Sequence, residues 1–239
     1  MPVLARVVAG LAAMLCALAT SAMAQQVGLA IAVDQGAVIE SGGRRAPLNR
    51  RDPVRNGDVI LTDATGTVQI VFQDRTRVAI GPSSRFQVGD IQLSTRDRAT
   101  RFSVNAISGT FRFLSGNSDK PAYAIRTPTA TMGIRGTEFD FAVRGGVTTT
   151  LITFRGQVRI CSNTGRCARV SGGCATAGID QVGQVFQPSS RAARDQAILE
   201  GFPFILDQSA LRPNFRTSTG SCGAIARRRV QVNEDREFQ

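Results

Sequence analysis

The stretch YAIRTPTATMGIRGTEFDF, residues 123–141, decides the fold of this chain. It predicts a strand, a corner and a second strand. Thr127-Pro128 ends the first strand, because the residue before a proline is pushed toward extended geometry and proline has no N–H to donate. Gly133 and Gly136 lie three residues apart, a spacing that predicts a corner with positive φ or a close backbone approach.

The second strand of the stretch has two different faces. Thr137, Phe139 and Phe141 alternate with Glu138 and Asp140, so a period of two places the aromatic rings on one face and the carboxylates on the other. Two carboxylates at this spacing can serve acid–base catalysis. A solvated strand face partnered by arginines is the preferred interpretation, because ion-pair networks also bring such groups together.

The corner itself admits two interpretations. Gly133-Ile134-Arg135-Gly136-Thr137 can form a backbone nest that binds an anion next to the guanidinium. A buried structural corner is preferred, with Arg135 bonded to carbonyl groups or to Glu138. The reason is that the neighbours Ile134 and Phe139 are residue types of protein cores.

Short alternating segments continue on both sides of this stretch. Val68, Ile70 and Phe72 alternate, and polar turns at 73–76 and 81–84 separate them from the next apolar segments. Strands of about five residues at a spacing of 8–12 residues, without a helical period, predict a mainly β domain over residues 25–175. Alternation alone allows a sandwich of such strands.

The C-terminal extension, residues 176–239, has a different pattern. Ser189-Ser190 precedes RAARDQAILE, which predicts a capped helix at about 190–200 that ends at Gly201 and Pro203. The apolar residues at 202–206 are expected to dock on the β-domain, leaving a loop-rich tail.

The first 24 residues predict an export signal. Arg6 is their only charge, an apolar run covers 7–19, and the small-x-small pattern within 21–24 predicts cleavage between Ala24 and Gln25. The apolar run is short for a membrane span. We therefore expect a periplasmic chain with no stable membrane insertion after cleavage; an uncleaved anchor is the alternative.

The charge of the chain is strongly positive. The formal net charge is +11, and removal of Arg6 leaves 28 basic residues against 18 acidic ones. Nucleic-acid binding is disfavoured, because the chain is expected to be exported and the arginines are scattered singly. A solvated arginine-rich surface that faces an anionic envelope is preferred over a specific anion site.

The sequence offers no catalytic constellation. It contains no histidine, which excludes histidine-based triads and histidine metal sites. Its glycines lie at the ends of predicted strands, and none of them forms a phosphate-binding loop before a helix. We predict no enzyme activity, no cofactor, and no catalytic, cofactor-binding or metal-binding residues.

Four cysteines remain after cleavage, an even number that predicts disulfides in an exported chain. If 158–160 and 168–170 are the arms of a hairpin, Cys161 and Cys167 face each other within disulfide range. That leaves Cys174 with Cys222, which would tie the tail to the β-domain. The other two connectivities and free thiols remain open alternatives.

The central stretch resembles the signature of the FecR domain family. The matching residues of the structural corner are Thr127, Pro128, Gly133, Arg135, Gly136, Thr137 and Phe139. Gly57-Asp58-x-Ile60-x-Thr62 and Phe72-x-Asp74-x-Thr76 precede them in the family's order, and Gly109-x-Phe111-Arg112-Phe113 also fits. The resemblance covers roughly 27–170 and implies a β-helix-like stack of short strands.

The same resemblance implies a periplasmic regulatory or sensing module that recognises the exported domain of an inner-membrane signalling protein. Arg112, Arg126, Arg144 and Arg155 are expected to steer an acidic partner surface at long range. The alternative is a polysaccharide-binding, peptidoglycan-binding or structural protein of the envelope. With no Trp and one Tyr, the chain is poorly equipped for stacking on sugars. The oligomeric state stays open.

Overall fold

The computed structural model describes residues 25–34, 36–94, 97–119 and 122–222. The predicted export signal, including Ala24, lies outside these residues. The described chain is mainly β, as predicted, with fifteen strands in one sheet. The strands are β1 (Gln26–Val33), β2 (Ala37–Ser41), β3 (Arg44–Pro47), β4 (Pro53–Arg55), β5 (Val59–Thr62), β6 (Val68–Phe72), β7 (Arg77–Ile80), β8 (Arg85–Leu93), β9 (Ala99–Leu114), β10 (Tyr123–Arg126), β11 (Ala130–Arg144), β12 (Thr148–Ser162), β13 (Cys167–Ser171), β14 (Ala175–Ile179) and β15 (Val185–Phe186).

Helices follow the sheet. Helix α1 spans Arg191–Gly201 and helix α2 spans Pro203–Leu206, and short 3₁₀ turns lie at Pro213–Phe215 and Gly220–Cys222. The Ser190 side chain caps α1 by accepting a hydrogen bond from the Ala193 N–H at 3.1 Å. The sheet itself continues past residue 175, since β14 and β15 pair within it.

Three strands are longer than the spacing of the sequence predicts. β9, β11 and β12 have 16, 15 and 15 residues. Each contains one glycine with positive φ: Gly109 at 104°, Gly136 at 59° and Gly156 at 78°. These glycines bend a strand without ending it, so that its two halves pair with different neighbours. β12, for example, pairs with β14 along its first half and with β13 along its second half.

The main core lies on the aromatic face of the central stretch. Phe139 and Phe141 are fully buried and stand opposite Phe113 and Phe111 of β9. The ring centroids are 5.7 Å apart in the first pair and 5.0 Å apart in the second. Burial of each ring contributes on the order of 1.5–3 kcal/mol. The predicted alternation is therefore confirmed on this face.

The opposite face of β11 differs from the prediction. It was expected to be solvated, but the C-terminal segment covers it. Ala142 and Ile152 pack against Ile198, Phe202 and Ile205 in a second buried cluster. Phe204, Leu211 and Phe215 form a third cluster with Ala79 of β7. The described chain after β15, up to Cys222, is thus packed on the outside of the sheet.

A buried ion pair fastens this segment to the sheet. Arg112 and Asp140 are both 0% exposed, and two hydrogen bonds join them, Nε to Oδ1 at 2.7 Å and Nη2 to Oδ2 at 2.8 Å. Arg112 also donates from Nη2 to the Phe204 carbonyl at 3.0 Å and from Nη1 to the Gln208 side chain. Burial raises the pKa of the Asp140 carboxyl, and the Arg112 guanidinium opposes that rise. The predicted role of Arg112 in long-range steering is wrong, because the side chain has no access to solvent.

Of the two corner glycines, only Gly136 has a backbone conformation that favours glycine, with a φ of 59°. Gly136 lies at a bulge, where the pairing of β11 with β12 shifts register between Arg135 and Glu138. Gly133 has no positive φ, and a Cβ added there would meet nothing within 4 Å. A Cβ added at Gly156, across the bulge, would overlap the Gly136 carbonyl. The corner therefore depends on Gly136 and Gly156.

We predict that Gly156→Ala destabilises the protein by about 2 kcal/mol or more, since it combines a positive φ with a backbone clash. Gly136→Val should lower the free energy of unfolding by about 2 kcal/mol, because valine is strained at a positive φ even without a clash. Gly133→Ala is the matched control and should change the free energy of unfolding by less than about 0.5 kcal/mol. Denaturant unfolding measures all three; equal losses at 133 and 156 would contradict this account of the corner.

We predict that Arg112→Met lowers the free energy of unfolding by about 3–5 kcal/mol, because Asp140 is left buried without a partner. Arg155→Met is the control. It breaks a pair with Glu138 in which the arginine side chain is 72% exposed, so it should cost less than about 1 kcal/mol. The double change Arg112→Met/Asp140→Leu should recover part of the loss. Equal effects of the two single changes would show that the buried pair does not fasten the tail.

Candidate functional site

The family motif residues at the corner mostly support the backbone. The Thr127 Oγ1 accepts from the Ala130 N–H at 2.9 Å and shares a 2.7 Å hydrogen bond with the Thr149 hydroxyl. The Pro128 carbonyl accepts from the Asn163 side chain at 2.8 Å. Thr137 is buried, and its hydroxyl donates to the Gln157 carbonyl at 3.0 Å. These contacts close the turn before β11 and hold the bulge within it.

The earlier motif Phe72-x-Asp74-x-Thr76 also forms a structural turn. Asp74 is 0% exposed, and its carboxylate accepts from the Thr76 N–H, the Ser118 hydroxyl and the Tyr123 hydroxyl at 2.9, 2.7 and 2.9 Å. Burial raises the pKa of the Tyr123 hydroxyl. The carboxylate caps backbone and hydroxyl donors, as predicted for an aspartate at a turn.

The two carboxylates of β11 do not form a catalytic pair. Asp140 is held by Arg112, as described above. Glu138 binds the Arg155 guanidinium at 2.8 Å and accepts from the Thr217 hydroxyl at 2.6 Å. Both groups have the arginine partners that the sequence interpretation expected. Within the described ranges, no group of three or more His, Cys, Asp or Glu residues is placed to hold a metal ion.

The cysteines come together in the two predicted pairs, at disulfide distance. Cys161 and Cys167 face each other on β12 and β13, with their Cα atoms 4.0 Å apart. Cys174 and Cys222 have Cα atoms 5.0 Å apart. The second pair joins the end of the described tail to the chain just before β14.

Arg135 departs from the preferred interpretation of a buried corner. Its side chain is exposed, and no described residue accepts a hydrogen bond from it. Glu138 is bound by Arg155 instead. The nest interpretation also fails for the backbone, because the Arg135 N–H donates to the Thr137 hydroxyl at 3.1 Å. Alternation along β11 places Arg135 on the outer face, beside Gly133 and opposite the buried Ile134.

The arginines on this outer face have no carboxylate partner among the described residues. The face is formed by β10, residues 130–135 of β11, residues 157–162 of β12 and β13, and we call it the basic face; its exposed arginines are Arg126, Arg135, Arg159 and Arg169. Arg159 and Arg169 stand directly opposite each other across β12 and β13. Like charges in that position repel each other. The other outward positions of β11, β12 and β13 within this face are Thr131, Gly133, Gln157, Cys161, Cys167 and Ser171.

The remaining arginines that were expected to steer a partner are partly neutralised. Arg144 pairs with Glu200 at 2.9 Å, and Arg155 pairs with Glu138. Arg126 is exposed and donates to the Ser103 hydroxyl. Of the four arginines in that prediction, only Arg126 lies on the basic face without a carboxylate partner among the described residues.

A polar cleft opens beside the basic face. It has a volume of about 730 Å³ and lies between the edge of β13, the start of β14 and the first turns of α1. We call it the basic slot; the lining residues used below are Arg169, Ser171, Thr176, Arg191, Arg194 and Ser221. The sequence analysis did not identify this cleft. The one local signal was the spacing of Arg191 and Arg194, three residues apart after the Ser190 cap, which places both on one helix face.

None of the helices in the described part of the chain is long and apolar enough to cross a membrane.

Comparisons with known proteins agree with the motif assignment. The FecR protein family model matches residues 58–159. No curated protein matches the sequence. Among solved structures, a cell surface anchoring domain is 32% identical over 26% of this chain and 82% of that chain, with a TM-score of 0.25.

Two further solved structures are crystal structures of candidate anti-sigma factors from Parabacteroides distasonis. They are 14% and 16% identical over 54% and 60% of this chain, with TM-scores of 0.45 and 0.44. This chain spans 58% and 64% of their lengths. Likeness at this level carries no argument about function. The family match concerns the central part of the chain, residues 58–159, where this chain is similar to the FecR protein family.

Proposed function

We propose that this chain is a non-enzymatic regulatory or sensing module of the FecR type, exported to the periplasm, which acts by contact with the exported domain of an inner-membrane signalling protein. The family match supports a signalling or regulatory role. In this proposal, residues 1–24 are the export signal, 25–175 the FecR-like domain and 176–239 an extension that first completes the sheet with β14 and β15 and then docks on it through its helices.

The basic face is the observation that carries this proposal. Its outward positions include four exposed arginines and no carboxylate, and Arg159 and Arg169 repel each other across two strands. An acidic partner surface would relieve this repulsion and accelerate association through long-range attraction. The regulatory role of the FecR family and the positive charge of the basic face both support this proposal.

The alternative is an envelope protein that binds polysaccharide or peptidoglycan. A sugar site is normally lined by exposed aromatic rings, which stack on the pyranose faces. In the described chain Tyr123 is buried, as are ten phenylalanines of the three cores. Phe186, 38% exposed, belongs to the two-residue strand β15 and its ring lies against Gly178. The aromatic residues thus favour the protein-contact interpretation.

We predict that the mature protein begins at Gln25 and is recovered from the periplasm. N-terminal sequencing of the protein isolated from that fraction is the measurement. Recovery of the protein with Met1 intact in a membrane fraction would contradict this prediction and show that the chain is an uncleaved, anchored protein.

We predict a salt-sensitive complex with an inner-membrane protein that has an acidic exported domain. A photo-crosslinking residue at Gln157, in the middle of the basic face, should capture this protein in intact cells, whereas the same residue at Ala46 on β3 should not. Arg135→Glu/Arg159→Glu should reduce capture at least about tenfold, and Arg44→Glu/Arg45→Glu is the matched control on β3. Capture of polysaccharide alone, or of nothing above background with the partner gene expressed, would refute the proposal.

A further inference from the structure

The basic slot lies along an unpaired strand edge. β13 pairs with β12 and with no other described strand. β15 pairs only with Gly178 and Ile179 at the far end of β14. The slot lies beside the β13 edge and the start of β14, and residues 187–190, which follow β15, border it on another side.

Backbone groups of β13 point into the slot. The Ser162 N–H donates to the Arg166 carbonyl at 2.8 Å and closes the β12–β13 hairpin. Hydrogen-bonded and non-hydrogen-bonded pairs alternate in an antiparallel ladder. The pairs Arg159–Arg169 and Gln157–Ser171 are therefore of the second kind. The N–H and C=O groups of Arg169 and Ser171 face away from β12, toward the slot.

The start of β14 also directs backbone N–H and C=O groups toward the slot. The Asp180 N–H donates to the Gln184 carbonyl at 3.1 Å and closes the β14–β15 hairpin. By the same alternation, Gly178 bonds to β15, and Thr176 directs its N–H and C=O to the same side. Thr176 lines the slot. A row of backbone donors and acceptors thus runs along one wall.

Positively charged side chains line the slot from both sides. Arg191 and Arg194 of α1 line the slot, Arg169 joins them from β13, and no Asp or Glu is among the lining residues. Arg194 bonds Asp195 through Nη2 at 3.3 Å, but its Nε is buried and has no hydrogen-bond partner in the described structure. A buried N–H without an acceptor costs free energy, so Arg194 keeps an unused donor beside the slot.

We propose that the basic slot binds an extended acidic segment of the partner protein as an added strand along β13 and the start of β14. This inference rests on the proposed function and gives it a site. The exposed backbone groups would complete a ladder with the segment, and Arg169, Arg191 and Arg194 would select acidic side chains at alternate positions. A volume of about 730 Å³ suits a segment of several residues better than a single anion.

An anionic lipid headgroup or a free phosphate would meet the same arginines. Neither has alternating N–H and C=O groups, so neither would use the β13 edge. Dependence on the backbone of the bound segment therefore separates strand addition from simple anion binding.

The test measures binding of labelled heptapeptides to the purified full chain with its cysteines paired. One peptide alternates valine and glutamate, a second carries lysine in place of glutamate, and a third is the acidic peptide with alternate N-methylated residues. We expect the first to bind at least about tenfold more tightly than the other two, a difference of about 1.4 kcal/mol. Binding of the acidic peptide should weaken at high salt.

Two variants test the two walls separately. Arg191→Glu should weaken the acidic peptide at least about tenfold. Ser171→Pro removes an outward N–H without taking a ladder bond from β12, a change tolerated at edges, and should also weaken it. Arg45→Glu on β3 is the matched charge control and should leave affinity unchanged. Circular dichroism and thermal melting confirm that each variant is folded.

Equal affinity for the N-methylated peptide, or no binding of any peptide, would overturn the proposal. Binding of phosphatidylglycerol vesicles or inorganic phosphate that Arg191→Glu abolishes, without selective binding of the acidic peptide, would make the slot an anion site and would also overturn it. These measurements need no natural partner. Failure here combined with capture from the basic face in cells would reject the slot alone, whereas failure of capture would reject the proposed function.

Discussion

The ion pair between Arg112 and Asp140 is the constraint on which the outer half of this structure depends. Two charges removed completely from water carry a desolvation penalty of several kcal/mol each, which only close pairing and further hydrogen bonds offset. Asp140 supplies the pairing, and the Phe204 carbonyl and the Gln208 side chain supply part of the remaining acceptors. Arg112 can therefore stay buried only while the C-terminal segment remains in place.

That dependence links the family core to the proposed binding surfaces. The docked segment positions α1, and α1 provides one wall of the basic slot; the other wall belongs to β13 and β14. The Cys174–Cys222 pair joins the two sides near Ser221. Arg169 belongs both to the slot and to the basic face. A partner with an acidic surface and an extended acidic segment would thus meet one continuous positive region, whose geometry is set by a buried contact.

The sequence predicted those features that follow from local periodicity. Alternation placed Phe139 and Phe141 in the core, and the Ser190 cap predicted α1. The sequence pattern did not distinguish Gly133 from Gly136, because the positive φ of Gly136 depends on the bulge in the pairing of β11 with β12. Alternation also assigned Asp140 to the second face of β11 without indicating that this face is covered. Arg112 and Asp140, like Arg169 and Arg191, are distant in sequence, and only the folded sheet brings them together.

Native-state hydrogen exchange tests most directly whether the C-terminal segment is an integral part of the domain. The Phe202 N–H donates to the Ile198 carbonyl and the Ile205 N–H to the Phe202 carbonyl, so both amides report on the docked helices. We predict that they exchange only through global unfolding, with the same free energy as the amides of Phe141 and Leu151 in the sheet. Exchange of the helical amides by local opening, several kcal/mol below the global value while the sheet stays protected, would contradict the account.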